Sequence, residues 1–258
     1  MNDALAGLIA SLLAGACTGL GALAVFAVRR LTPKVEDALL SGAAGIMLAA
    51  SFFSLILPAI AHAERLAGHR ASGVAIVIAG ILLGALLVFA MHRFVPHEHF
   101  VRGPEGPSHP RLGRVWLFVF TITLHNLPEG MAVGVGFGDG GFRNGLNLAI
   151  GIGLQNIPEG LAVAAALVTV GYTRARSFLI STLTGVVEGL GGLLAGVALW
   201  LAAPLLPLTL GLAAGAMLFI ISDEIIPETH GRGNQGLATF SLLVGFVLMM
   251  FLDASLGS

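Results

Sequence analysis

The chain has 258 residues, of which 56% are hydrophobic and only 10% are Asp, Glu, Lys or Arg, with 36 glycines besides. Soluble domains carry about 25% charged residues, so this composition cannot cover a water-facing surface; it excludes a soluble globular enzyme and a disordered scaffold. The net charge of -1 implies no nucleic-acid partner, and the single cysteine, Cys17, excludes an intrachain disulfide framework and a Cys-based metal site.

A membrane-spanning helix takes about 20 predominantly apolar residues, and eight segments qualify: 4–28, 39–60, 74–92, 115–137, 145–168, 178–202, 209–227 and 236–252. The predicted fold class is therefore all-α integral membrane, one transmembrane domain over 1–258. The first segment follows a start with no basic region and reads as a retained helix, not a removable signal. The second contains AAGIML at 43–48, and the third has no acid in its interior. The connection 93–114 is rich in Pro and Gly; His92, His97, His99 and His109 lie in it or beside it. The fourth segment carries HNLPEGMAV at 125–133 and the fifth carries QNIPEGLAV at 155–163, 30 residues on. Glu188 lies in the sixth. The seventh contains AAGAML at 213–218, then Asp223 and Glu224, and the eighth is the shortest at 17 residues.

Lys and Arg divide unevenly between the two sides. Ten lie in the 1–2, 3–4, 5–6 and 7–8 connections, whereas Arg65, Arg70 and Arg143 lie on the other side. The positive side is cytoplasmic, so both termini are predicted outside and 93–114 inside. The AAGIML and AAGAML segments then run in opposite directions, as expected for inverted repeats of segments 1–3 and 6–8 around a central pair.

Ionisable residues within spans are costly, roughly 2.5–3.5 kcal/mol each on insertion scales, and so point to function. His125, Gln155 and Glu188 each lie ten residues into their segments, near the bilayer midplane whichever way each helix runs. His125 and Glu129 are four apart, as are Gln155 and Glu159, so each pair shares a helix face. Asn126 and Asn156 are rotated by about 100° toward a neighbouring part of the same cavity. Pro128 and Pro158 cannot donate to the carbonyls of Leu124 and Leu154, which predicts a kink in each helix. Irregular helix at this depth is tolerated where it lines a cavity or a buried site.

Glu129, Glu159 and Glu188 have no Lys or Arg in any span interior. They cannot all stay ionised unpaired, so either protons or cations neutralise them. A proton relay has no need of matched His/Gln and Asn positions. Imidazole, carboxylate and amide oxygen together suit a borderline divalent metal such as zinc, with iron, manganese and cadmium also accepted. A lone His with a Glu one turn on is often a structural hydrogen bond; the same spacing twice, with a third acid opposite, argues against that reading here.

HNLPEG and QNIPEG, followed by STLTGVVEG and SDEIIPETHGRG, resemble the ZIP family of divalent-metal transporters, closest to its bacterial GufA-like branch, over essentially the whole chain. The resemblance implies eight helices arranged 3+2+3 and a metal pathway between helices 2, 4, 5 and 7 leading into the cytoplasm. It implies one metal position from His125, Glu129, Gln155 and Glu159, and a second from Asn126, Asn156, Glu159 and Glu188, with Glu159 shared. Several relatives carry an acid where Asn156 stands and many eukaryotic ones a His where Gln155 stands, which weakens the second position and softens the first. It further suggests a homodimer, a bacterial inner (cell) membrane location, and rocking of helices 1, 4, 5 and 6 against the rest.

The expected function is thus transport of divalent transition-metal ions, zinc foremost with cadmium, iron and manganese as further substrates, into the cytoplasm through a midplane site between helices 4, 5 and 6. A channel-like pore is the alternative. An intramembrane metalloenzyme would need an open ligand position and a positioned base, and the chain has no HExxH. No catalytic residue or catalytic cofactor is expected; the ions are bound substrate, and the other partner is the lipid bilayer. An exit site of His97, His99, Asp223 and Glu224 is expected at the cytoplasmic end. His62, Glu64 and His69 read as a solvated outer connection, with metal capture at an entrance as the alternative, and Trp116 and Trp200 read as interfacial anchors.

Overall fold

A computed structural model describes residues 3–27, 32–94, 97–99, 103–105, 114–138, 141–169, 171–201 and 203–256. Eight helical rods dominate: α1 (Asp3–Leu23), α2 (Pro33–Ala67), α3 (Arg70–Phe94), α4 (Arg114–Gly136), α5 (Phe142–Thr169), α6 (Arg174–Leu201), α7 (Leu206–His230) and α8 (Gln235–Leu256). Among the described residues seven are long and apolar enough to cross a membrane. The other, α4, has 23 residues, about 35 Å at 1.5 Å per residue against a hydrocarbon core of about 30 Å. This is a helical, multi-pass membrane protein. A short antiparallel ladder, β1 (His97–His99) with β2 (Gly103–Glu105), sits in the 3–4 connection.

Several rods run past the ends that hydropathy marks. α2 covers 33–67 where 39–60 is predicted, because local signals and not lipid length set its ends. Thr32 caps the start by accepting from the Val35 N–H at 3.4 Å, and Pro33 takes the first turn, where a missing N–H costs nothing. Gly68, at φ +65°, stops the helix in the left-handed region that other residues avoid.

The polar start of α2 is held by the turn between α7 and α8. Arg232 donates to Glu36 at 2.9 Å, to the buried Asp37 at 3.4 Å and to Glu228 at 3.3 Å, and Asn234 donates to the other Asp37 oxygen at 2.8 Å. Removing the cation leaves Asp37 buried with Asn234 as its remaining partner among the described residues. Arg232→Met is expected to destabilise the protein by about 2 kcal/mol, read from thermal unfolding in detergent; an unchanged unfolding temperature would show the clasp to be idle.

Two sets of rods pack within themselves. α1 lies against α4, α5 and α6, and α4 packs on α6; α2 lies against α3 and α8, and α3 packs along α7. The sets meet where α5 faces α2 and α4 faces α7. Buried alanines at 43, 44, 49, 50, 213, 214 and 216 let the helices approach closely, as membrane helices do without a hydrophobic force to drive them together.

The echoed sequences share an irregularity. Each is followed by a turn of π-helix, Ser51–Ile56 in α2 and Ile221–Ile225 in α7, just ahead of Pro58 and Pro227. Proline withholds the N–H that regular winding needs, and such bulges recur at functional positions. Counted from the first alanine of each echo, Ser54 and Glu224 fall at the same register, eleven residues on. Ser54 donates to Asp253 of α8 at 2.7 Å, while Glu224 meets the two histidines described next.

Candidate metal centre

α4 and α5 remain helical through Pro128 and Pro158 and bring the two echoed motifs side by side. His125, Asn126, Glu129, Gln155, Asn156, Glu159 and Glu188 are all buried. Gln155 Nε2 donates to Glu129 Oε1 at 2.6 Å, joining α5 to α4. The next residue, Asn156, donates from Nδ2 to Glu188 Oε1 at 2.6 Å and to the Ala14 carbonyl at 2.9 Å, joining α5 to α6 and α1. Neighbouring positions on one helix thus serve opposite walls, as their 100° offset requires.

The crossing of α4 and α6 fixes Glu188. Its backbone lies so close to Gly130 that a Cβ there would collide with the Glu188 carbonyl. The glycine of the first motif therefore sets how near Glu188 comes to the acids of α4 and α5. Glu129, Glu159 and Glu188 lie within Coulombic range of one another. Among the described residues no Lys or Arg side chain pairs with any of them. Glu129 Oε2, Gln155 Oε1, Asn156 Oδ1, Glu159 Oε2 and Glu188 Oε2 are buried oxygens without a partner among the described residues. Orphaned buried acceptors cost about 1–3 kcal/mol each, and a cation is a group that can satisfy such oxygens.

His125 does not turn to Glu129, its neighbour one turn along. Its Nε2 lies 2.7 Å from Glu224 Oε1 of α7. His92 Nε2 reaches the same oxygen at 2.7 Å, and His92 Nδ1 lies 3.7 Å from Asp223 Oδ2. His92, His125 and Glu224 are buried, with ligand-type atoms all within 4.8 Å of one another. Two imidazole nitrogens and a carboxylate oxygen form a donor set suited to zinc.

Of the expected exit group, Asp223 and Glu224 thus meet His92 and His125. His97 and His99 stand on β1, which runs beside α4, and their side chains lie outside the described residues, as do His109 and the Trp200 side chain. Sequence alone places His92 beside the 3–4 connection, whereas the structure buries it. A signal for its burial was present: on α3, Gly80, Gly84 and Val88 form a buried stripe at four-residue spacing that His92 continues. Trp116, near the start of α4, donates to the Tyr172 hydroxyl at 2.8 Å.

The profile of a family described as "ZIP Zinc transporter" matches residues 104–253. The chain is 49% identical to zinc transporter ZIPB of Bordetella bronchiseptica, over 94% of its own length and 78% of the relative's. It is 46% identical to zinc transporter GufA of Myxococcus xanthus, over 98% and 99%. The similarity extends to zinc transporter ZIP11 of Homo sapiens at 33% identity, over 93% and 94%.

Proposed function

Because this chain belongs to the ZIP family of zinc transporters, which are not enzymes, we propose that it carries zinc into the cytoplasm through the buried carboxylate–amide centre between α4, α5 and α6. The observation that carries this reading is the division of labour on α5: Gln155 and Asn156 each give one N–H to a different buried glutamate and keep an oxygen free. The amide N–H groups thus sit against the acids where a cation would otherwise balance their charge. When an ion arrives they release the acids, and His125, Glu129, Gln155 and Glu159 form the first position. Asn126, Asn156, Glu159 and Glu188 form the second, with Glu159 common to both. Cadmium, iron and manganese compete, since imidazole, carboxylate and amide oxygen accept them all.

His125 is the hinge of delivery. Its hydrogen bond to Glu224 supports a hand-off from the midplane to Glu224, Asp223 and His92, and on to His97 and His99 at the cytoplasmic end. The helices are arranged 3+2+3 in the cell membrane with both termini outside, and the protein works as a homodimer. The packing of α1, α4, α5 and α6 as one set and α2, α3, α7 and α8 as another supports rocking of the first against the second.

Purified protein in liposomes tests the proposal. Zinc uptake is expected to saturate and to be competed by cadmium; flux that rises linearly with concentration would replace the carrier by a channel. In the same assay Glu188→Gln is expected to slow uptake ~10-fold without abolishing it, because the second position relays and the first carries the flux. Complete loss in that variant would overturn the division between the two positions.

A further inference from the structure

A lateral cleft separates α2 from α3, with α7 as its floor. α3 packs against the Leu57–Ala67 part of α2, whereas Pro33–Ala50 packs on α8, so the two helices diverge from their shared turn. The opening between them has a volume of about 530 Å³ and apolar walls: Leu48 of α2, Ile81 and Ala85 of α3, and Gly215, Leu218 and Phe219 of α7. That volume lies within the range of about 300–1,000 Å³ that holds small-molecule ligands. The α3 wall runs on into Ile78, Leu82 and Phe89, exposed apolar side chains on a membrane-spanning helix. The cleft is therefore open to lipid.

One end of it is charged. Ser222 and Asp223 line the cleft at the π-helical turn of α7. That turn sends consecutive carboxylates to different places: Glu224 is buried against the two histidines, whereas the Asp223 side chain is 33% exposed. An acid facing hydrocarbon is costly, and acids within spans pair or meet water. Asp223 lies seven residues, about 10 Å, before the end of α7 at His230, which brings it within reach of a lipid headgroup. His92 Nδ1 lies 3.7 Å from Asp223 Oδ2, so the end of α3 stands at the same level. The next residue, Arg93, is exposed. It follows by one turn Phe89, whose ring lies 6.4 Å from that of Phe219 in the cleft wall. An apolar wall thus ends in one carboxylate and one guanidinium.

Two opposite charges at the mouth of an apolar cleft match a zwitterionic headgroup above an acyl chain. A guanidinium takes a phosphate through parallel N–H groups. A carboxylate takes a cation with N–H groups to donate, which a primary ammonium has and a quaternary ammonium lacks. A headgroup of net negative charge would set that charge against Asp223. We propose that the cleft holds one phosphatidylethanolamine molecule, with an acyl chain between Leu48 and Ile81, its phosphate on Arg93 and its ammonium on Asp223. The orientation proposed above assigns it to the cytoplasmic leaflet; the binding itself rests neither on that orientation nor on the transport reading.

Native mass spectrometry of the full chain in detergent tests the site. The protein is offered phosphatidylethanolamine, phosphatidylcholine and phosphatidylglycerol with identical acyl chains. It is expected to hold one phosphatidylethanolamine per chain about tenfold more tightly than either of the others; equal retention of the three overturns the proposal. Asp223→Asn is expected to erase the preference, and a preference that survives the change overturns it equally. Should that variant fail to fold, Arg93→Gln is expected to weaken all three lipids about tenfold, because each carries the phosphate; unchanged binding counts against the site. Ala85→Phe fills the cleft and is expected to weaken every lipid alike, and an unaltered titration would place the lipid elsewhere. Glycerophosphoethanolamine, which has the headgroup without acyl chains, is expected not to displace the bound lipid; displacement would remove the cleft from the proposal. Wild-type protein that selects phosphatidylethanolamine yet takes up no zinc would remove the transport reading and leave the lipid site standing.

Discussion

Zinc uptake is expected to fall more than ~100-fold when Glu159 is replaced by alanine. Loss of a group that only supports a ligand costs about 10–100-fold, and Glu159 is a proposed direct ligand to both midplane positions. It is 4% exposed, and its Oε2 has no partner among the described residues. The same variant is expected to unfold at a higher temperature than wild type without metal, because a desolvated carboxylate that destabilises the empty protein is gone. Initial rates of zinc uptake and thermal unfolding in detergent read the two effects. A rate within threefold of wild type would take the centre off the pathway.

Gly130→Ala is expected to do comparable damage with no change of charge and no ligand removed. The added carbon meets the backbone of Glu188, not a flexible side chain, so no rotamer change relieves the clash and α4 and α6 must separate. Overpacking costs about 1–3 kcal/mol, and a collision between backbones belongs at the upper end. Separation also draws Glu188 away from Asn156, so uptake is expected to be lost in protein that still reaches the membrane. An unfolding temperature equal to wild type, with zinc uptake intact, would show that the two helices can part without consequence.

Much of this was legible in the sequence because membranes simplify the problem. Length and apolarity are enough to find eight rods, and the i,i+4 spacing of His125 with Glu129 and Gln155 with Glu159 is enough to suspect a shared cavity. What escaped belongs to two kinds. Helix ends follow caps and turns, so Thr32, Pro33 and Gly68 extend α2 well beyond its apolar stretch and carry His62 into a cavity. Partnerships between distant residues leave no local trace. Ser51 bonds back to the Met47 carbonyl, as a serine inside a helix ordinarily does. Ser54, three residues on, instead reaches Asp253, 199 residues away. His125 likewise forgoes the glutamate beside it in sequence for Glu224, 99 residues away. Binding sites are made of such choices, and they are settled by packing.

The matched registers of Ser54 and Glu224 bear on the direction of flow. Because α2 and α7 lie in the same packed set, the proposed inverted-repeat arrangement, which sets them antiparallel, would present one structural unit at each face of the membrane with opposite polarity. On that arrangement the states open to either side are variations on a single design, and their free energies begin close together instead of being separated by the ~2.7 kcal/mol that holds one of them at 99:1. Under those conditions no fuel is needed to impose a direction. A tenfold difference in free zinc, about 1.4 kcal/mol, is enough to set it, and cytoplasmic chelation can keep that difference in place.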